Sequence, residues 1–182
     1  MTIQQQIAAV IAREGNYSNN PADTGGPTRW GITEAIARAE GYTGDMRQLP
    51  QSIAAGIYLK RFWTAVHFDL VAAIAPTIAA ELFDTGVNCG PATAVQLLQR
   101  ALNGFMGSGL NLDGTILPKG ATLTILGQYL AARRSQDGEA VLLELMSDLQ
   151  GERYLELVER TAKDREFLFG WIRNRVMAPA TA

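Results

Sequence analysis

Apolar residues recur three or four positions apart along most of this 182-residue chain, and that spacing is the strongest constraint on its fold. Ile3, Ile7, Val10 and Ile11 mark an amphipathic helix over residues 2–13, stopped by Gly15. Helical patterning resumes at Thr33, whose hydroxyl is suited to cap a helix, and again near 50–62 with Ile53, Ile57 and Tyr58. Pro76 opens a segment over 76–87 containing Ile78, Leu82 and Phe83. Pro91 opens a stronger one with Val95, Leu98, Leu102 and Phe105 on one stripe. Further helices are expected at 121–134 and 138–163, the latter with Leu142, Leu145 and Leu149 inward. A last one holds Phe167, Leu168, Trp171, Ile172 and Val176. Glu152, Glu156, Glu159, Arg160 and Lys163 read as a solvated helix face. Two stretches break the pattern. Residues 15–33 crowd Asn, Pro, Asp, Gly and Thr together, as a turn or short irregular hairpin does. Residues 106–120 form a Gly-rich connection containing Asp113-Gly114 and Pro118. The expectation is an all-α protein with one small interruption.

Composition agrees, and it removes several classes of function. Hydrophobic residues make up 47% of the chain and aromatics only 8%, which favours helix packing over a β-sandwich. A net charge of -2 lacks the basic footprint of a nucleic-acid binder, so no nucleic-acid partner is expected. Cys89 is the single cysteine and reads as a small buried side chain; it permits no intrachain disulfide and no zinc-ligand spacing. No metal or cofactor is implied. His67 is the sole histidine, and no motif pairs it with a nucleophile. Met1 to Arg13 lacks the charged start and continuous apolar core of a signal peptide. No apolar run approaches the roughly 18 residues that span a bilayer. The reading is a chain made in the cytoplasm, without stable membrane insertion, that needs outside help for export.

Glu14 is the most informative single residue. It follows Ile11, Val10, Ile7 and Ile3 by three, four, seven and eleven positions, so it extends their stripe at the helix C-terminus. Partial burial and the helix dipole would both favour the protonated carboxyl there. A carboxyl kept protonated can donate to a leaving glycosidic oxygen. The competing reading is a frayed Glu turned to solvent before its glycine. Asp23, nine residues on, is either an Asx-turn residue or a second carboxylate across a cleft. Tyr17 and Trp30 either stack on sugar rings or anchor the loop to the core. Asp84 and Asn88 share a helix face, and either order the cleft or cap the next helix.

The run Glu14-Gly15-Asn16-Tyr17-Ser18-Asn19-Asn20-Pro21-Ala22-Asp23-Thr24-Gly25-Gly26-Pro27-Thr28-Arg29-Trp30-Gly31-Ile32-Thr33 resembles the signature of glycoside hydrolase family 108. Members are N-acetylmuramidases of phages and bacteria, some of them secretion activators. Asn16 stands where the family usually has Gly, and Asn tolerates a left-handed backbone. Downstream, Phe83 to Pro91 and Leu97 to Asn103 resemble the predicted peptidoglycan-binding segment found in this family. Gly151 to Tyr154 and Phe167 to Arg175 resemble its closing helices. In the loop at Asp113-Gly114, Leu117 and Gly120 replace the usual Gly and Thr.

The resemblance implies a lysozyme-like, all-α fold with a short irregular β-hairpin or loop at the active site. Residues 1–88 would form the catalytic half and 89–182 the peptidoglycan-binding-like half, packed as one body. It implies cleavage of the β-1,4 bond between N-acetylmuramic acid and N-acetylglucosamine in peptidoglycan glycan strands. Glu14 would be the general acid, supported by Asp23 and Thr28, with Tyr17, Trp30, Thr33 and Asn88 contacting substrate. Such an enzyme acts on the cell wall, reached from the cytoplasm through a holin or a secretion system. A lytic transglycosylase, a non-catalytic wall-binding or secretion-assisting protein, and a structural reuse of the scaffold are the alternatives.

Overall fold

The computed structural model describes residues 1–19 and 26–177. The protein is all-α: among the described residues, helices make up 70% and there is a single two-stranded sheet. Its backbone contacts divide it into two compact units, Met1–Ala65 and Val66–Ala182.

The first unit begins with α1 (Ile3–Glu14), opened by a reciprocal cap. The Gln5 N–H donates to Thr2 Oγ1 at 3.3 Å and the Thr2 N–H donates to Gln5 Oε1 at 2.8 Å. Its buried stripe is Gln6, Ile7, Val10 and Ile11. A hairpin follows, β1 (Thr28–Arg29) and β2 (Ile32–Thr33), then the short α2 (Glu34–Ala39). The expected cap is present: the Ile36 N–H donates to Thr33 Oγ1 at 3.3 Å. A single 3-10 turn at Met46–Gln48 leads to α3 (Gln51–Leu59), which runs on into a π-helical turn, Lys60–Thr64. α3 packs on α1 and buries Ala54, Ile57 and Tyr58; Ile53 lies exposed.

In the second unit α4 (Phe68–Ala72), α5 (Pro76–Cys89), α6 (Pro91–Met106), α7 (Ala121–Ala132), α8 (Gly138–Arg160) and α9 (Arg165–Trp171) surround one core. α5 and α6 begin with proline, where the missing N–H costs no hydrogen bond. Ile78, Leu82 and Phe83 meet Val95, Leu98 and Leu102 in the interior, as their spacing predicts. In α8 the stripe differs from the expected one. Leu142 is buried, but Leu145 and Leu149 sit on the shoulders, and the core line runs Leu142, Met146, Gln150, Tyr154 and Val158. The stripe is misread because it passes through a glutamine. Gln150 Nε2 donates to Thr85 Oγ1 at 2.7 Å, and that hydroxyl donates to Glu81 Oε1 at 3.0 Å, all buried. A hydrogen-bonded amide can occupy a core position that a hydrophobicity pattern assigns to leucine.

Gln99 does the same for the long connection between α6 and α7. Its buried Nε2 donates to Asp113 Oδ1 (2.8 Å), the Thr115 carbonyl (3.2 Å) and Thr122 Oγ1 (3.2 Å), while its Oε1 accepts from the Gly114 N–H (3.1 Å). Gly114 has φ +71°, and a Cβ there would stand 2.8 Å from the Ala92 carbonyl oxygen, so the Asp113-Gly114 turn requires its glycine. One side chain thus organises a segment with no secondary structure of its own. Gln99→Leu keeps the volume but strands these groups. We expect it to lower stability by about 2–4 kcal/mol. Chemical denaturation would show this as a lower midpoint; a change within about 0.5 kcal/mol would mean the loop holds itself.

Candidate functional site

The geometry around Glu14 is built by the first unit. α1 ends there because Gly15 turns the chain at φ +73°. Ser18 then forms a β-bridge with Thr28, each N–H donating to the other's carbonyl at 2.8 Å. Thr28 also pairs with Thr33 across the hairpin, as Arg29 does with Ile32. The strands are joined by Trp30 and Gly31, both at positive φ (55° and 75°). A two-residue turn of that kind matches the twist of the strands it connects.

Left-handed backbone is costly for tryptophan, by about 1–2 kcal/mol. Its surroundings hold it there. Trp30 Nε1 donates to the Leu49 carbonyl at 2.9 Å, and the Trp30 carbonyl accepts from the Tyr58 hydroxyl at 3.1 Å. The Arg29 guanidinium lies over the indole, 5.0 Å from the ring centroid. Trp30 therefore pins the hairpin to the segment before α3 and to α3 itself.

This anchoring brings the turn against Glu14. A Cβ added to Gly31 would fall 2.3 Å from Tyr58 Oη, 2.9 Å from Glu14 Cγ and 3.2 Å from Glu14 Cβ. Only a glycine lets the turn backbone approach the stem of Glu14 so closely. Tyr58 is buried, and its hydroxyl is pushed well above the usual tyrosine range, first by burial and then by the neighbouring Glu14 carboxylate. It therefore acts as a neutral donor near neutral pH.

The remaining expected site residues fall in different places. Glu14 itself is exposed, which corrects the partial burial expected from its helical spacing. The buried stripe ends at Ile11 because Glu14 occupies the last helical position and only the hairpin turn covers its stem. Thr28 is half-buried, and its Oγ1 donates to the Gly26 carbonyl at 3.2 Å, which leaves the oxygen able to accept. Thr33 spends its hydroxyl on the α2 cap. Tyr17 is half-buried beneath the Arg47 guanidinium, 5.6 Å from the ring centroid. Asp23 lies outside the described residues. Asn88 belongs to the second unit, where its Nδ2 donates to Tyr154 Oη, and Asp84 accepts from Arg175 Nη1 at 2.8 Å. Neither caps α6, whose first turn has no side-chain cap; both tie α5 to the C-terminal helices. Cys89 beside them is half-buried, less enclosed than expected, and burial pushes its thiol upward.

Gly31, Tyr58 and Leu49 were not among the residues expected from sequence. Gly31 lies within the family-like run, but its reason for being glycine is a contact with residues 17 positions before and 27 after it, which spacing along the chain cannot reveal. Among the described residues no group of His, Cys, Asp and Glu side chains is arranged to hold a metal ion.

Residues 7–90 match the family model described as Glycosyl hydrolase 108, and residues 93–176 match that of the Predicted Peptidoglycan domain. No curated protein sequence matches the chain. Among solved structures, one titled "Structure of Brucella abortus SagA" is similar, with 24% identity, a TM-score of 0.67, and coverage of 99% of this chain and 96% of that one. At that identity the likeness supports the shared fold. The matched segments, together with the Glu14-to-Thr33 run and its hairpin, show a glycosyl hydrolase 108 domain at residues 7–90 followed by a predicted peptidoglycan domain at residues 93–176.

Proposed function

We propose that this protein is an N-acetylmuramidase that hydrolyses the β-1,4 bond between N-acetylmuramic acid and N-acetylglucosamine in peptidoglycan, with Glu14 as general acid. The single observation that carries the reading is the seat of Glu14. Its carboxyl is open to a polymer at the end of α1, while its stem is fixed by the Gly31 turn. A general acid needs a fixed position within hydrogen-bond reach of the oxygen it protonates. A sugar chain lying over an exposed carboxyl also excludes water, strengthening proton donation as the bond breaks. The glycosyl hydrolase 108 domain and the predicted peptidoglycan domain support the substrate class.

In this reading Glu14 protonates the leaving oxygen. Asp23 is the second carboxylate, stabilising the oxocarbenium-like state or the incoming water. Thr28 positions that water or the sugar through an oxygen left able to accept. Trp30 and Tyr17 border the glycan path, and Thr33 serves by capping the helix that follows the hairpin. Residues 1–88 do the chemistry, and 89–182 hold the wall polymer.

Two variants test the proposal. Glu14→Gln preserves shape and removes the acid. Release of reducing ends from purified peptidoglycan is expected to fall by about a thousandfold, with an unchanged circular dichroism spectrum. A folded variant that releases ends at the wild-type rate would remove Glu14 from the mechanism. Gly31→Ala forces a methyl group into Tyr58 Oη and the Glu14 stem. We expect kcat to drop at least about tenfold, because misplacing a catalytic group by a fraction of an ångström is costly. The melting temperature should fall as well. Unchanged kcat in this variant would show that the turn does not position Glu14.

A further inference from the structure

α9 and the π-helical turn that continues it, Ile172–Val176, differ from the α-helices α4 to α8 of the second unit: none of their residues is fully buried. They are nevertheless firmly seated. Trp171 stacks on Tyr154 of α8 with ring centroids 5.1 Å apart, and Phe167 stacks on Trp171 at 6.0 Å. Ile172 and Val176 lie against Gly151, and Arg175 is paired with Asp84 at 2.8 Å. The inner face is thereby spoken for, and the outer face is fixed in orientation.

That outer face has an unusual content. Arg165, Phe169, Arg173 and Met177 follow one another at four-residue intervals, and all four are exposed. Phe169 and Met177 are each 75% exposed, and Phe167 beside them is 50% exposed. Phe167, Phe169 and Met177 are large apolar side chains, each half or more exposed and gathered on one short segment, which sets them apart from singly scattered apolar surface residues. The four residues of the stripe carry two positive charges and no negative one, in a chain whose net charge is -2.

We propose that this outer stripe docks peripherally on an anionic phospholipid surface. Phe169 and Met177 would enter the headgroup–acyl boundary while Arg165 and Arg173, alternating with them, pair with lipid phosphates. This is the arrangement of an interfacial helix, with apolar tips and guanidinium groups along one side. A second copy packed antiparallel about the middle of the stripe would set Arg165 and Arg173 against Met177 and Phe169 and give neither guanidinium an anion, whereas lipid phosphates supply one to each. The apolar groups project from a helix rather than line a hollow, which suits a deformable lipid boundary better than a protein of fixed shape. No described helix is long and apolar enough to cross the bilayer, so the contact is with its surface. The inference is independent of the hydrolase reading and does not use Glu14.

The test is sedimentation of the full-length protein with vesicles of phosphatidylcholine alone and of an equimolar mixture with phosphatidylglycerol, at rising salt. Wild type is expected to partition onto the anionic vesicles only, and to leave them as salt increases. Both Phe169→Ser/Met177→Ser and Arg165→Gln/Arg173→Gln should weaken that partitioning about tenfold or more. All these positions are exposed, so the variants should fold normally, which circular dichroism checks. Three results would overturn the proposal: no binding to anionic vesicles, equal binding to neutral ones, or wild-type binding by the Phe169/Met177 variant. Self-association of the wild type that this variant abolishes would also overturn it, by assigning the stripe to a second copy.

Discussion

The closeness of the Trp30-Gly31 turn to Glu14 is the constraint on which the first unit depends. To lie on the Glu14 stem, the turn must have a residue without a Cβ at 31 and a positive φ at two consecutive positions. The tryptophan at 30 resists that backbone. It is held by a bond from its indole to Leu49 and by one from Tyr58 to its carbonyl. Strain kept in place by surrounding contacts is characteristic of functional sites. Here it has a definite effect, which is to fix the base of a carboxylate whose tip stays open to solvent.

The second unit is stabilised by a different device. Its helices pack through ordinary apolar stripes, but its specificity comes from buried amides. Gln150 of α8 reaches Thr85 of α5, whose hydroxyl in turn donates to Glu81, and Gln99 gathers the Asp113–Thr115 loop to the start of α7. Each such group would be costly to leave unpaired, so each excludes alternative registers of the helices it joins. The unit that matches a peptidoglycan domain thus presents a long irregular loop that is nonetheless rigidly founded.

The helices were legible because their apolar spacing is strong. The ends of α1, the prolines opening α5 and α6, the Thr33 cap and the short hairpin all follow from local residue chemistry. The short α4 was missed: five residues give too little periodicity to detect, and its start is set by His67 at φ +60°, a tertiary choice. The core line of α8 was misplaced because Gln150 is polar by type yet buried by its partners. At the candidate site, α1 ends at Glu14 and a short hairpin follows, as the sequence pattern indicates. That pattern overstated the burial of Glu14 and gave no hint of Tyr58 or Leu49, since contacts across 28 and 19 positions leave no periodic trace. The roles expected for Asp84 and Asn88 at the next helix cap also gave way to long-range partners, Arg175 and Tyr154, 91 and 66 positions away.

The central claim is that this fold, with its fixed and exposed Glu14, hydrolyses the glycan backbone of peptidoglycan. The most direct measurement is the chemical identity of the ends that the wild-type protein releases from purified peptidoglycan, read by mass spectrometry. The account predicts new reducing N-acetylmuramic acid ends, one water added for each bond broken. Anhydro ends would contradict hydrolysis and make the protein a transglycosylase. A folded protein that binds the wall and releases no fragments would contradict catalysis altogether.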